Sequence, residues 1–238
     1  MTSVITLSPS ALTFDWQGCR VCWWHRFVGR EKLPQQRPLP KIFNSIDAAM
    51  RRCFEGQPAK SMVPDAQGTI LPGETLVSEA FVPEGCTTPI RFRGRTDFLV
   101  ALADGTWCVP DAKTAEVKEE HVPFYSPQLH AYTWSLLHPA PRTGAGGGSE
   151  GVVTPLPRPV TRLGLYVFQP GGFGVNPETG EALLSGIARW MEIPLDMSAF
   201  MKLMSEVGAF IDSADLAAVQ TAESCLGCQA RRGRTALG

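Results

Sequence analysis

Residues 94–114 read Gly94-Arg-Thr-Asp97-Phe-Leu-Val-Ala-Leu-Ala-Asp104-Gly105-Thr-Trp-Cys-Val-Pro-Asp111-Ala-Lys113-Thr114, and their pattern decides the fold. Two apolar runs flank Asp104-Gly105, a dipeptide that accepts the positive φ angles of a tight hairpin turn. A hairpin turning there sets Asp97 at the start of one strand and Asp111 near the end of its antiparallel partner, close to opposite each other. Asp111 and Lys113 are two apart, so both side chains leave the same face of the sheet. Mg²⁺ takes hard oxygen ligands, usually one or two protein carboxylates completed by water and substrate phosphate. A neighbouring ammonium stabilises the negative charge that builds up at a phosphorus centre under attack, or aligns the attacking water. The spacing therefore predicts metal-dependent phosphodiester cleavage. Pro110, with no N–H to give a ladder, suits a strand end that opens into a site.

Downstream, Tyr125–His138 predicts a helix entered through Ser126-Pro127, a cap and first-turn pair. Gln128 and Tyr132 stand i, i+4 on one of its faces and can act together. Upstream, apolar residues recur at helical spacing over Ile42–Glu55, and strands are predicted at Leu76–Val82, Ile90–Val100 and Thr106–Ala112. Residues 7–30 read as a short, aromatic-rich helical entry, followed by a connector whose Pro34, Pro38 and Pro40 forbid a regular helix. Thr143–Gly151 is a Gly-rich insertion, after which strands resume at Arg162–Gln169 and Glu181–Ile193, with turns expected at Gly171-Gly172 and Thr179-Gly180. A last amphipathic helix covers Ser198–Ile211. The expectation is an α/β chain forming a single domain, 1–238.

The 238 residues carry a formal charge of −1, so affinity for nucleic acid is not advertised by the chain as a whole. Locally, Arg20, Arg26, Arg30, Lys32, Arg37 and Lys41 form one basic cluster, and Arg231, Arg232 and Arg234 another. Each reads either as solvated surface or as phosphate contact. No apolar run reaches transmembrane length and no signal region opens the chain, which predicts a cytoplasmic protein without a membrane partner. His25, His121, His130 and His138 show no metal-ligand spacing, and Glu79 is a further candidate acid.

Four of the seven cysteines form two CxxC pairs, Cys19/Cys22 and Cys225/Cys228, near opposite ends of the chain. The x₂ spacing lets two thiolates converge on one metal, and two such pairs complete a four-thiolate site for Zn²⁺ or an iron–sulfur cluster. A disulfide framework is the poorer reading in a reducing compartment, and a thiol-redox use of one pair lacks a βαβ context. Cys53, Cys86 and Cys108 are expected as buried structural residues.

The series Gly94-Arg-Thr-Asp97, hairpin, Asp111-Ala-Lys113-Thr resembles motifs II and III of the PD-(D/E)xK nuclease superfamily. Gln128-Leu-His-Ala-Tyr132 is similar to the QxxxY motif of its RecB-like branch, which includes the CRISPR-associated RecB-like exonucleases, and Leu7-Ser-Pro-Ser10 followed by Cys19 resembles that branch's opening. The resemblance implies a restriction-endonuclease-like core, a small mixed β-sheet flanked by helices, with terminal segments joined by a four-cysteine metal site. It implies a Mg²⁺- or Mn²⁺-dependent deoxyribonuclease, exonuclease-like, acting on single- or double-stranded DNA, with protein partners in a repair or CRISPR complex. Asp97 and Asp111 would hold the metal, Lys113 would supply electrostatic stabilisation, and Gln128 and Tyr132 would orient substrate or the lysine. Asp47 stands where the family has a helix histidine, and reads as a third metal ligand or an exposed helix residue. Related nucleases carry a 4Fe–4S cluster on one cysteine before the core and three after it. Here the division is two and two, with 4Fe–4S expected and Zn²⁺ the alternative occupant. The rival function is a catalytically silent module of the same fold that binds nucleic acid or protein.

Overall fold

Two apolar runs, buried on both faces, make the Asp104-Gly105 hairpin the centre of the molecule. In the computed structural model, which describes residues 3–33, 40–141, 158–213, 216, 219 and 225–235, the hairpin strands are β5 (Phe98–Leu102) and β6 (Trp107–Thr114). With β2 (Gly68–Pro72), β7 (Val160–Val175) and β8 (Ala182–Ile193) they form a five-stranded sheet in the order β2-β5-β6-β7-β8. Only β6 and β7 run parallel; the other neighbours are antiparallel. A second, three-stranded sheet has β4 (Ile90–Arg95) between β1 (Ile5–Leu7), to which it is parallel, and antiparallel β3 (Thr75–Val77). The fold is thus mixed α/β with two sheets, not one.

The alternation of a strand sorts side chains to two faces. On β5 and β6, Leu99, Trp107 and Val109 pack toward α3 (His121–Leu137), whereas Phe98, Val100, Cys108 and Ala112 pack toward α2 (Ile42–Phe54). Helix α2 covers its face with Ile46, Met50 and Phe54, one residue per turn. Helix α3 lies between the sheets: Leu129, Tyr132 and Leu136 face the five-stranded sheet, while Ala131 and Trp134 face the core under β1 and β4. That second core is closed by α4 (Met197–Ser213) through Phe200, Met204 and Val207.

Several elements differ from the sequence expectation, each for a tertiary reason. The predicted strand Ile90–Val100 breaks at Thr96-Asp97, where the chain leaves one sheet for the other. Helix α3 begins at His121 and runs through Pro127, four residues ahead of its expected start. Its first turns are held by tertiary contacts, Gln17 Nε2 donating to the Phe124 carbonyl at 3.0 Å and Phe14 packing edge-on against Phe124 and Tyr125. The entry segment is a short strand, a helical turn over Ala11–Asp15 and helix α1 (Arg20–Phe27), not one continuous helix. Gly171-Gly172 lies inside β7 at a shift of register, not at a turn, and the β7–β8 hairpin turns only beyond Val175. Its distal part carries exposed Phe173 and Leu183. The Gly-rich segment 143–151, Arg37, Pro34 and Pro38 fall outside the described residues. No helix among the described residues is long and apolar enough to cross a membrane.

Candidate active site and cysteine centre

The antiparallel ladder between β5 and β6 pairs Val100 with Cys108, and continuing that register sets Asp97 opposite Asp111, as the hairpin pattern predicts. Pro110 is in the middle of β6, not at its end, but beyond the last registered β5 pair. Where the ladder stops, the Asp97 side chain takes over: Oδ2 accepts the Ala112 N–H at 3.0 Å. Asp97 is thereby fixed by a backbone group between Asp111 and Lys113.

Asp111 is buried on the α3 face of the sheet. Its Oδ1 accepts a hydrogen bond from Gln128 Nε2 at 2.8 Å, and Oδ2 forms an ion pair with the Lys113 ammonium. The lysine also lies 4.9 Å over the Tyr125 ring, a cation–π contact that holds its stem against α3. Burial pulls the Lys113 pKa down, and the facing Asp111 and Asp97 carboxylates more than reverse it, so the ammonium is retained. The Asp97 pKa also rises, here against its charged form: burial, then the like charge of Asp111, push it up to about 7. The two carboxylate charges repel each other in this partly dry setting, and a divalent cation would relieve the repulsion. The oxygen donor set fits a hard ion such as Mg²⁺ or Mn²⁺, and the buried Gln128 Oε1, with no hydrogen-bond partner, adds a further oxygen at the same place.

The remaining predicted residues separate. Tyr132 sends its hydroxyl to the Arg95 carbonyl at 2.8 Å, and its ring lies where a Cβ on Gly94 would come within 3.2 Å of it. It therefore positions the strand leading to Asp97, and Gln128 positions Asp111. Asp47 approaches from α2, on the opposite face of the sheet from α3, and its Oδ2 is paired with Arg51 at 3.1 Å. Arg51 also reaches Asp97 Oδ1 at 3.5 Å, so a guanidinium joins the two aspartates, and its buried Nε has no hydrogen-bond partner. Sequence reading missed Arg51; an i, i+4 Asp–Arg pair looks like an ordinary helix-surface pair. Glu79 pairs with His138 Nδ1 at 3.3 Å, about 15 Å along α3 from Gln128, and is not part of the site. His130 is a structural residue: Nδ1 donates to the Ser126 carbonyl at 2.7 Å and Nε2 accepts the Asp196 N–H at 2.9 Å, tying α3 to the start of α4.

The two CxxC pairs meet. Cys19 caps α1 and Cys22 lies in its first turn; Cys225 and Cys228 stand the same way at the start of α5 (Leu226–Thr235). The four Sγ atoms all lie within 4.8 Å of one another, with Cys22 3.4 Å from both Cys225 and Cys228 and Cys19 3.7 Å from Cys228. Among the described residues this is the metal-ligand group drawn that close; Asp47, Asp97 and Asp111 are not. Burial, more than the neighbouring thiols, raises the Cys22 pKa and pushes Cys228 up to about 11, so a cation is needed before these groups become thiolates. A second clip lies beside the centre, where Glu31 accepts from Arg231 Nε at 3.2 Å and pairs with His25 Nδ1 at 2.7 Å. Arg26 is likewise engaged internally, with Asp15 at 2.6 Å. Cys108 is buried as expected, but Cys53 is exposed and Cys86 only partly covered.

No family model and no curated protein matches the chain. Among solved structures, the crystal structure of SSO0001 is similar over 88% of this chain and 77% of that one, at 12% identity and a TM-score of 0.42. A likeness that weak carries no functional or fold assignment.

Proposed function

We propose that the protein is a Mg²⁺- or Mn²⁺-dependent deoxyribonuclease with a restriction-endonuclease-like core. The observation that supports this best is the convergence of Asp97, Asp111 and Lys113 where the β5–β6 ladder stops, with Gln128 bonded to Asp111. Asp97 and Asp111 would hold the metal, which when bound polarises a phosphate oxygen and acidifies a water ligand. Lys113 stands beside the same carboxylates as a retained cation, placed to stabilise negative charge on the phosphate under attack. Gln128 fixes the Asp111 carboxylate, and Tyr132 fixes the backbone one residue before Thr96-Asp97. Asp47 joins the metal only if Arg51 releases it.

At the cysteine centre the spacing fits one tetrahedral ion. Zn–S bonds of about 2.3 Å put tetrahedral thiolates about 3.8 Å apart, within the spread here of 3.4–3.7 Å for three pairs and no more than 4.8 Å for the set. A 4Fe–4S cubane binds each thiolate to a different iron, which adds the cluster's own edge to the spacing and requires the four sulfurs to move apart. We assign the centre a structural role, with Zn²⁺ as occupant, and derive no reaction step from it.

The test of the nuclease reading is cleavage of end-labelled single- and double-stranded DNA with Mg²⁺ or Mn²⁺, comparing wild type with Asp111→Asn and Lys113→Ala. Metal-dependent cutting by wild type that falls by at least about a hundredfold in both variants, with unchanged circular dichroism, supports it. A wild type that binds DNA and does not cut it moves the assignment to the silent binding module.

A further inference from the structure

The segment Arg91-Phe-Arg-Gly-Arg95 forms strand β4, and its alternation is not that of an ordinary half-buried strand. Ile90 and Phe92 are fully buried under α3 and α4, and every outward position is an arginine: Arg91, Arg93 and Arg95 are all exposed. On an extended strand, residues two apart are separated by about 7 Å, so the three guanidiniums form a single row. Thr96 is buried and Asp97 partly exposed just past the strand end, where the chain passes to the five-stranded sheet, so the row runs up to the break that carries Asp97. From Arg91 to Arg95 is about 13 Å, and Asp97 follows two residues beyond the strand end.

The row lacks the acids that would mark it as a self-neutralised surface. Its neighbours in register are Thr6 beside Arg91, Val77 beside Arg93 and Thr75 beside Arg95. Arg91 Nε donates to Thr6 Oγ1 at 2.9 Å, and none of the three arginines pairs with a carboxylate among the described residues. Glu79, the acid that follows β3, is turned to His138 instead. The strand is paired on both sides, so the cations stand on a rigid platform. The platform is also tied to the site, because the Arg95 carbonyl accepts the Tyr132 hydroxyl.

We propose that the outer face of β4 is a phosphate track that leads one DNA strand to Asp97. The track rests on the nuclease reading and adds the form of substrate to it. Guanidinium groups pair with phosphate oxygens through two parallel donors, and a single row of them follows one backbone, whereas a duplex presents two. Contacts of this kind carry no base information, so the track is indifferent to sequence.

The experiment is fluorescence-anisotropy titration of a labelled oligothymidylate without added divalent metal, across a series of salt concentrations. Wild type is compared with the three single Arg→Gln variants, with R91Q/R93Q/R95Q together, and with R189Q, an exposed arginine on β8 away from the row. Each single substitution should flatten the dependence of log affinity on log salt by about 0.7, and the triple variant by about 2. The triple variant should bind about tenfold or more weaker at low salt, and R189Q should match wild type. Equal affinity and slope in the triple variant and wild type overturn the track. Cleavage of the same oligonucleotide with Mn²⁺ is measured alongside. If wild type cuts while the triple variant binds as tightly, the track alone falls; if wild type neither binds nor cuts, the nuclease reading falls with it.

Discussion

Arg51 decides how the acids at the candidate active site are shared. It is the residue that pairs both with Asp47 and with Asp97, while Asp111 is matched by Lys113. A divalent ion on Asp97 must displace one of these contacts, and Arg51 at 3.5 Å is the weaker. A partly exposed ion pair of this kind is worth up to about 1 kcal/mol, so Arg51→Ala should raise Mn²⁺ affinity by up to about fivefold, read by electron paramagnetic resonance of free Mn²⁺. An unchanged or lower affinity shows that Arg51 does not compete. Protons compete as well. With its pKa near 7, Asp97 holds a proton that the unfolded chain has already released at about 4, so metal-free stability falls as pH rises between those values. Binding a cation removes that proton, and Mn²⁺ affinity should climb with pH up to about 7 and level off above it. Asp97→Asn should abolish both the pH dependence and the binding. The acids and the lysine were legible in the sequence because strand period and turn chemistry are local; Arg51 was not, because its second partner is on another element.

The break between β4 and β5 is what turns a straight apolar run into a site. Nothing in residues 90–100 announces it, since Thr96 and Asp97 interrupt an otherwise strand-forming series only mildly. Gly73, at the corner between β2 and β3, lies directly against the break, and its missing side chain lets that corner approach. A Cβ there would lie 1.9 Å from the Thr96 carbonyl oxygen and 2.5 Å from that of Asp97. Thr96 Oγ1 completes the lock by accepting the Glu74 N–H at 3.0 Å. Gly73→Ala should therefore cost about 2–3 kcal/mol in urea unfolding and weaken Mn²⁺ binding, because the backbone carrying Asp97 must move. A variant with wild-type stability and metal affinity would mean that the corner relaxes freely. The same dependence on distant contacts explains the early start of α3, where Phe14 and Gln17 support turns that Ser126-Pro127 alone would have excluded. It also explains β1, whose three residues become a strand only by pairing with β4.

Across the whole molecule the terminal segments are joined at the cysteine centre, with the Glu31 clip beside it, and the centre was the long-range contact most legible in the sequence, because two CxxC pairs need one another. Helix α5 is short and rich in arginine, with a core contribution limited to its cysteines among the described residues. A cation that holds Cys225 and Cys228 against Cys19 and Cys22 would add the strongest tie to its docking, beside the Arg231–Glu31 ion pair. Removing the metal should then release α5 and loosen α1, while the five-stranded sheet persists on its own core. Chelation, or Cys22→Ser with Cys225→Ser, should lower the melting temperature by more than about 5 °C and open residues 225–235 to proteolysis before the sheet. Metal analysis of anaerobically purified protein settles what binds there. One zinc per chain, without acid-labile sulfide or visible absorbance, is expected from contacts of 3.4 and 3.7 Å. Four irons with sulfide and a brown chromophore would instead mean that the sulfurs spread to admit a cubane. In that case α1 and α5 must part at their N-termini, and the His25–Glu31–Arg231 contacts beside them must be remade.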